Sequence, residues 1–484
     1  MRYIVSTIIT LLVLTFSFTT FGQAASEDYY SVVLKNNAKA EAFKGDLSLT
    51  DAEIVYEVPE IGYYQVKASK GDLKEIKGFK SVSLANESFS WDVTETERIE
   101  LSEEEASNII NDANTEEAGF WPIQWDIQRI TENGASYDIS TGSHDTSVAV
   151  IDTGINPTHI DLAPNLLDGS KNFVPAGGFR GTEPNETGDP GNFVDLHGHG
   201  SHVSGSIAGA GNGMLGVAPD LGLRAYRVFG TSSAESGWIY NAMISAADDG
   251  NDVLSMSLGG MDLLGQVFVR NPETGKMENA GNDVADYVAY KRAVQYVNDK
   301  GAIIVTSAGN DALDITKKNQ VTQFMNDNYG TEDIEFRGSG EVVPANLSGV
   351  INVSATGPED ILSIYSNYGA GAIDLATVGG DTRLYTQYAS EGRLDEYLAN
   401  RMHYWEFNLS ADNRSDDGYY FSVGTSMATP KVSAVVGMII DQHDGELSPA
   451  QVKHQLLKNG VEGVAGEEKK YFGAGHLNAV NALQ

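Results

Sequence analysis

Cysteine is absent from the 484 residues. That excludes a thiol nucleophile, a thiolate metal site and any disulfide. A chain this long has enough core to hold together without cross-links. Bases are scarce: 32 Lys+Arg stand against 67 Asp+Glu, for a formal net charge of −35. Such a surface repels nucleic acid and anionic lipid, so neither is expected as a partner. Long apolar runs are missing after the first two dozen residues. There Arg2 precedes a mostly apolar stretch, Ile4 to Phe18, and then Gly22, Ala24 and Ala25. The stretch is shorter than the roughly 20 residues of a spanning helix. It reads as a secretory signal over 1–25, cut near Ala24 or Ala25, which predicts an extracellular protein with no membrane attachment afterwards.

What remains is a globular composition, 41% hydrophobic, 20% charged and 9% aromatic. Residues 26–91 read as a small α+β unit. Its strands are Tyr30–Leu34, Ala52–Tyr56, Gly62–Lys67 and Ser81–Leu84, and Asp72 is the expected cap of a short helix through Phe79. Residues 92–118 read as an acidic linker that carries a processing site. From Asp92 to Glu117 there are ten acids and one base, Arg98, which predicts a solvated connector open to cutting. Residues 119–484 form the large unit. Its apolar strands (Ser147–Ile151, Leu223–Val228, Val253–Ser257, Ala302–Thr306, Val350–Ser354) alternate with helical patterns. This predicts an α/β fold, a doubly wound parallel sheet with helices on both faces. Asn271–Asn282 and Thr382–Gly418 read as loop insertions.

Amide hydrolysis by a hydroxyl needs a nucleophile, a base, an acid to orient the base, and oxyanion donors. Each has a candidate. Asp152 ends the apolar run Val148–Ile151, and ligand sites in open α/β sheets gather at strand carboxyl ends. Three histidines, His197, His199 and His202, stand within six residues. A metal site is the rival reading there, but no His-Glu-x-x-His pattern occurs. Glycines on both sides of His199 suit a close backbone approach, and His202 fits a structural hydrogen bond. Ser426 precedes an apolar run, Val432–Ile440, at the start of a predicted helix, where the dipole favours developing negative charge. Pro430 is expected in that helix's first turn. Asn310 follows Ile304–Gly309 and presents a carboxamide, and the Ser426 N–H is the expected second oxyanion donor. A plain capping serine, an ordinary turn asparagine and a capping aspartate are the bland alternatives.

Taken together, the Asp, His, Ser order and its motifs resemble those of the subtilisin-like serine proteases, the subtilases. Ile151-Asp-Thr-Gly154 is similar to the family's Asp box. His199-Gly-Ser-His-Val-Ser-Gly205 is similar to its His box, and Gly424-Thr-Ser-Met-Ala-Thr-Pro430 to its Ser box. The resemblance selects His199 as the base. It implies that Ser257, Leu258 and Gly259, with Ala308 and Gly309, wall the substrate pocket, whose floor falls near Glu341–Ala345. It implies a self-processing zymogen: an inhibitory propeptide over 26–91 that partners the enzyme until it is cut away, with the junction bracketed by Glu100–Glu117. No cofactor is implied for catalysis. Structural calcium is possible in the family, yet the segment from His202 to Gly216 is short for its best-known calcium loop, which leaves Asp161 as one candidate ligand. Lys431 after Pro430, Ser366-Asn-Tyr-Gly369 and the insertion before Ser426 are similar to lanthipeptide leader peptidases. The expected substrate is therefore a peptide or protein in general, or a lanthipeptide precursor in particular. Rival classes are an inactive binding protein on the same fold, and a lipase or esterase. The latter lacks its Gly-x-Ser-x-Gly elbow.

Overall fold

The computed structural model describes residues 28–88, 90–92, 97–112, 119–231 and 233–484. The expected signal at 1–25 lies outside them. The first unit contains β1 (Asp28–Leu34), α1 (Ala40–Leu47), β2 (Glu53–Val58), β3 (Tyr63–Ala68), α2 (Lys70–Ile76) and β4 (Val82–Glu87). The strands form an antiparallel sheet in the order β2-β3-β1-β4. Alternate residues Tyr30, Val32, Leu34, Tyr64 and Val66 face Phe43, Leu47 and Ile76 of the two helices. The cap of α2 is Ser69, whose hydroxyl accepts from the Asp72 N–H at 3.1 Å. Asp72 answers as the third residue of a capping box.

The acidic connector is ordered where it is described. It holds β5 (Ser90–Asp92), β6 (Arg98–Glu100) and α3 (Glu103–Asp112). The expectation of a solvated tether fails because Ile99, Leu101, Ala106 and Ile109 pack into an apolar cluster with Tyr404, Phe407 and Phe421.

The large unit then runs α4 (Trp125–Thr131), β7 (Ser147–Asp152), β8 (Lys171–Asn172), α5 (His199–Ala208), β9 (Gly222–Arg227), β10 (Ser233–Glu235), α6 (Ser236–Asp248), β11 (Val253–Met256) and β12 (Gly260–Leu263). The expected loop at 271–282 belongs to a hairpin, β13 (Gln266–Arg270) and β14 (Met277–Gly281). Next come α7 (Val284–Asp299), β15 (Ile303–Ser307), α8 (Lys318–Tyr329), β16 (Ile334–Arg337), β17 (Gly340–Val343), β18 (Val350–Thr356) and β19 (Leu375–Val378). The insertion expected as loop over 382–418 folds into α9 (Arg383–Ser390), α10 (Leu394–Ala399), α11 (His403–Glu406) and β20 (Asn408–Ala411). Glu406 gathers it, accepting from Leu384 N at 2.6 Å, Tyr385 N at 3.0 Å and Tyr397 Oη at 2.7 Å. The chain continues through β21 (Tyr419–Ser422), α12 (Thr425–Gln442), α13 (Pro449–Lys458), β22 (Val461–Gly463) and β23 (Gly475–Leu477).

The main sheet has nine strands in the order β22-β23-β19-β18-β15-β11-β7-β9-β8. All its pairings are parallel except β22 with β23. Side chains alternate across it. Val148 and Val150 of β7 meet Val203 and Ile207 of α5 and Val432 and Val435 of α12 on one face. Ala149 and Ile151 meet Ile239 and Ala242 of α6 and Ala289 of α7 on the other. This is the doubly wound α/β arrangement read from the sequence. The strand order reverses at β7: the chain leaves it toward β8 and β9 and returns on its other side at β11. That reversal opens a crevice at the carboxyl end of β7, where Asp152 stands.

The small unit lies on α6 and α7. Asp286 of α7 accepts from Ser31 Oγ at 2.7 Å and Asn86 Nδ2 at 2.6 Å. Asn86 Oδ1 takes the Ala285 N–H, and Arg292 donates to the carbonyls of Leu34 and Ile61.

Candidate active site

Asp152 is the last residue of β7 and His199 the first of α5. His199 Nδ1 donates to Asp152 Oδ1 at 2.8 Å. The close approach depends on glycine: a Cβ on Gly200 would stand 2.0 Å from the Gly154 carbonyl oxygen. Thr153 locks the turn, donating from its N–H to Asp152 Oδ1 at 2.7 Å while its Oγ1 accepts from Gly200 N at 2.8 Å. Asp195 organises the loop before the histidine. Its carboxylate accepts from Thr153 Oγ1, from the N–H groups of His197, Gly198 and Ser201, and from Ser201 Oγ, all at 2.7–2.9 Å. A carboxylate there also suits the amino-terminal end of α5. Burial pushes the His199 pKa down, but the Asp152 carboxylate outweighs it, and the net shift is upward.

His202 bonds the Asn408 carbonyl at 3.2 Å, as expected of a structural histidine. Burial first, then the charge of His199, pushes it well below its ordinary range. His197 is lowered for the same reasons. Among the described residues no three His, Asp or Glu side chains converge into a metal-holding group. Asp161 is fully engaged: it accepts from the N–H groups of Asn212, Gly213 and Met214 at 2.6–3.2 Å and from Tyr419 Oη at 2.5 Å.

Ser426 lies in the first turn of α12 and is 3% exposed. Pro430 is not in that turn, contrary to expectation. It is four residues after Ser426, where an ordinary residue would donate to the Ser426 carbonyl. Ser257 Oγ takes that place at 2.8 Å. In return Ser426 Oγ donates to the Ser257 carbonyl at 3.2 Å, and His199 Nε2 has no partner among the described residues. Ser426 Oγ and His199 Nε2 are thus not hydrogen-bonded to each other in this geometry, as is common for a candidate nucleophile and base before substrate binds. Asn310 Oδ1 accepts from Thr425 N at 2.9 Å and Thr425 Oγ1 at 2.8 Å. That orientation turns its Nδ2 donor away from Thr425. Asn367 braces the preceding turn, donating to the Ala308 carbonyl at 2.9 Å and accepting from the N–H groups of Asp311 and Leu313. Sequence reasoning gave no role to Asp195 or Thr425, saw Thr153 only as part of the turn after Asp152, and cited Asn367 only within a motif.

Two features frame the cleft. On one side β5 pairs antiparallel with β10. Trp91 packs beside the wall that begins at Ser257, its ring so close that a Cβ on Gly260 would come within 2.6 Å. Leu258 and Val343 belong to the same apolar cluster, and Trp91 Nε1 donates to Ser236 Oγ at 2.8 Å. On the other side β6 pairs with β21, just before Ser426. Glu341 forms an ion pair with Lys318, and Val342 and Val343 are buried. Behind the site, Lys431 of α12 pairs with Asp126 of α4 at 2.7 Å and donates to the Val378 carbonyl at 2.9 Å. Both side chains are fully buried.

A parallel-sheet fold with a buried Asp–His pair and a serine at a helix start is the framework of a serine peptidase. The subtilase family model matches residues 143–475. The chain belongs to the subtilase family and is a subtilisin-like serine endopeptidase. It is 32% identical over 467 residues to the epidermin leader peptide-processing serine protease of Staphylococcus epidermidis, covering 96% of this chain and 95% of that one. It is 35% identical over 345 residues to the nisin leader peptide-processing serine protease of Lactococcus lactis subsp. lactis, covering 71% of this chain and 47% of that relative. The crystal structure of the epidermin leader peptide-processing protease from Staphylococcus aureus superposes with a TM-score of 0.79 at 32% identity, over 95% of this chain and 98% of that one.

Proposed function

We propose that this chain removes the leader from a lanthipeptide precursor, in preference to acting as a general extracellular protease. The observation that carries the reading is the end-to-end likeness to the epidermin leader peptidases, which covers 95% or more of both chains in sequence and in structure. In the proposed mechanism Ser426 rotates away from Ser257 and attacks the scissile carbonyl while His199 takes its proton. Asp152 holds the imidazole and stabilises its cation. Asn310 Nδ2 and the Ser426 N–H receive the oxyanion, at a helix amino terminus that favours its charge. His199 then protonates the leaving amine, and water releases the acyl group. Residues 26–91 act as propeptide and inhibitor, the precursor cuts itself within 92–118, and the mature enzyme is secreted. Residues 93–96 and 113–118 of this linker lie outside the described residues. Among the described residues no helix is long and apolar enough to cross a membrane.

The test is to incubate the purified enzyme with a lanthipeptide precursor and with casein, and to follow both by mass spectrometry beside the Ser426→Ala variant. One cut between leader and core, with casein largely spared, is the expected result. Casein degraded as readily, with the precursor cut at many bonds, refutes the leader-peptidase reading and leaves a general protease.

A further inference from the structure

Arg98 of β6 reaches the backbone just before His199. A Cβ on Gly198, the residue before His199, would come within 2.6 Å of Arg98 Nη1. The Arg98 Cζ sits over the Tyr420 ring, 3.7 Å from its centroid; Nη2 donates to Asp412 Oδ1 at 2.6 Å and Nε to Glu100 Oε1 at 2.5 Å. Both partners are built in. Tyr420 is 3% exposed and Asp412 4%. Tyr420 Oη donates to the Gly198 carbonyl at 3.0 Å, and Asp412 Oδ1 also accepts from Arg414 N at 3.1 Å. A buried carboxylate beside an aromatic face, with both held by their own hydrogen bonds, is a receptor for a cation; left empty it keeps a desolvated charge without a counter-ion.

The backbone says what kind of cation. Arg98, Ile99 and Glu100 add antiparallel to the edge of β21, opposite Ser422, Phe421 and Tyr420. Strand addition of this kind is a general mode of peptide recognition. Within the same chain β5 lies earlier, paired with β10 and with Trp91 against Gly260, and β6 lies later, against β21. A peptide crossing the cleft in that direction lays the residues after its cut along β21.

We propose that Tyr420 and Asp412 form a subsite for a basic side chain downstream of the scissile bond, filled by Arg98 in the precursor and by the substrate's own arginine or lysine afterwards. The proposal rests on the peptidase reading above and adds to it a specificity for the product side of the cut. It also gives the acidic surface a use, since a carboxylate-rich enzyme draws basic peptide segments toward it.

The test uses the full chain after its own processing, carrying Arg98→Ala so that its own side chain no longer competes. The probe is a synthetic peptide spanning residues 90–105, with either arginine or glutamine at position 98, scored by its inhibition of a fluorogenic reporter peptide. A desolvated cation–π contact joined to a charge-assisted hydrogen bond predicts about tenfold stronger inhibition by the arginine peptide. The ratio falls close to one when Asp412→Asn or Tyr420→Leu is added, whatever the absolute rate. Equal inhibition by the two peptides overturns the proposal, as does a difference that survives both substitutions. An enzyme that hydrolyses no reporter at all fails differently: it removes the peptidase reading itself.

Discussion

Lys431→Met tests whether the catalytic helix depends on the segment that begins the large unit. The Lys431 ammonium and the Asp126 carboxylate are fully buried and 2.7 Å apart. Burial pulls the lysine pKa down, and Asp126 opposes that pull. Lys431 also donates to the Val378 carbonyl. Methionine keeps most of the volume but strands the Asp126 carboxylate without a counter-charge. Breaking one side of a buried pair costs about 3–5 kcal/mol, whereas replacing both sides by apolar groups of similar size is near neutral. Lys431→Met alone should therefore lose about 3–5 kcal/mol, and Lys431→Met with Asp126→Leu should regain most of it. The assay is chemical denaturation in a Ser426→Ala background, which prevents self-digestion, with intrinsic tryptophan fluorescence as the signal. Trp125 adjoins Asp126 and reports locally through its indole bond to the Phe407 carbonyl. A single variant within about 1 kcal/mol of the parent would refute the reasoning, and so would a double variant no more stable than the single.

Three further outcomes follow from the site. Asp152→Asn should lower kcat about 10⁴-fold, the scale known for a triad that loses its orienting carboxylate. Because that carboxylate is what holds the His199 pKa up against burial, the rising limb of the pH–rate profile should also move to lower pH; a limb that stays in place would deny Asp152 this role. Asn310→Ala should cost about 10²–10³ in kcat with little change in KM, a magnitude borrowed from a relative in the same family, and steady-state kinetics on a reporter peptide checks it. The amino-terminal unit should hold more weakly as pH rises. Burial lifts the Asp286 and Glu87 pKa values to about 7 while the two units are docked, with Glu235 raised as well beside its Arg180 partner. Groups raised in the docked state favour docking below their ordinary carboxylate range, and that advantage drains away as pH climbs toward 7. Titrating the isolated amino-terminal peptide onto mature enzyme from pH 5 to 8 should show this trend, with a flatter slope for Asp286→Asn.

The central strands and the candidate site residues were legible in the sequence because their signals are local. Val148–Ile151 is a short apolar run ending in Asp, and each motif spans only a few residues around His199, Asn310 or Ser426. What it hid depends on contacts between distant segments. The connector looked solvated because ten acids mask four apolar residues, Ile99, Leu101, Ala106 and Ile109, whose partners lie some 300 positions later. The 382–418 insertion has no simple period, and one buried glutamate, Glu406, gathers its short helices. Asp195 and Thr153 are common polar residues whose bracing role appears only once β7 and α5 meet. Pro430 was placed a turn too early because a sequence pattern does not reveal that the helix begins at Thr425.

That proline has a consequence for how the enzyme rests and how it is roused. The missing N–H leaves the Ser426 carbonyl to the Ser257 hydroxyl, and the Ser257 carbonyl holds the Ser426 hydroxyl in turn. Ser426 and Ser257 are therefore clasped together, each hydroxyl resting on the other's carbonyl. In the mechanism proposed above, that clasp has to open on its Ser426 hydroxyl side before the serine can reach the imidazole, so every turnover begins by breaking it.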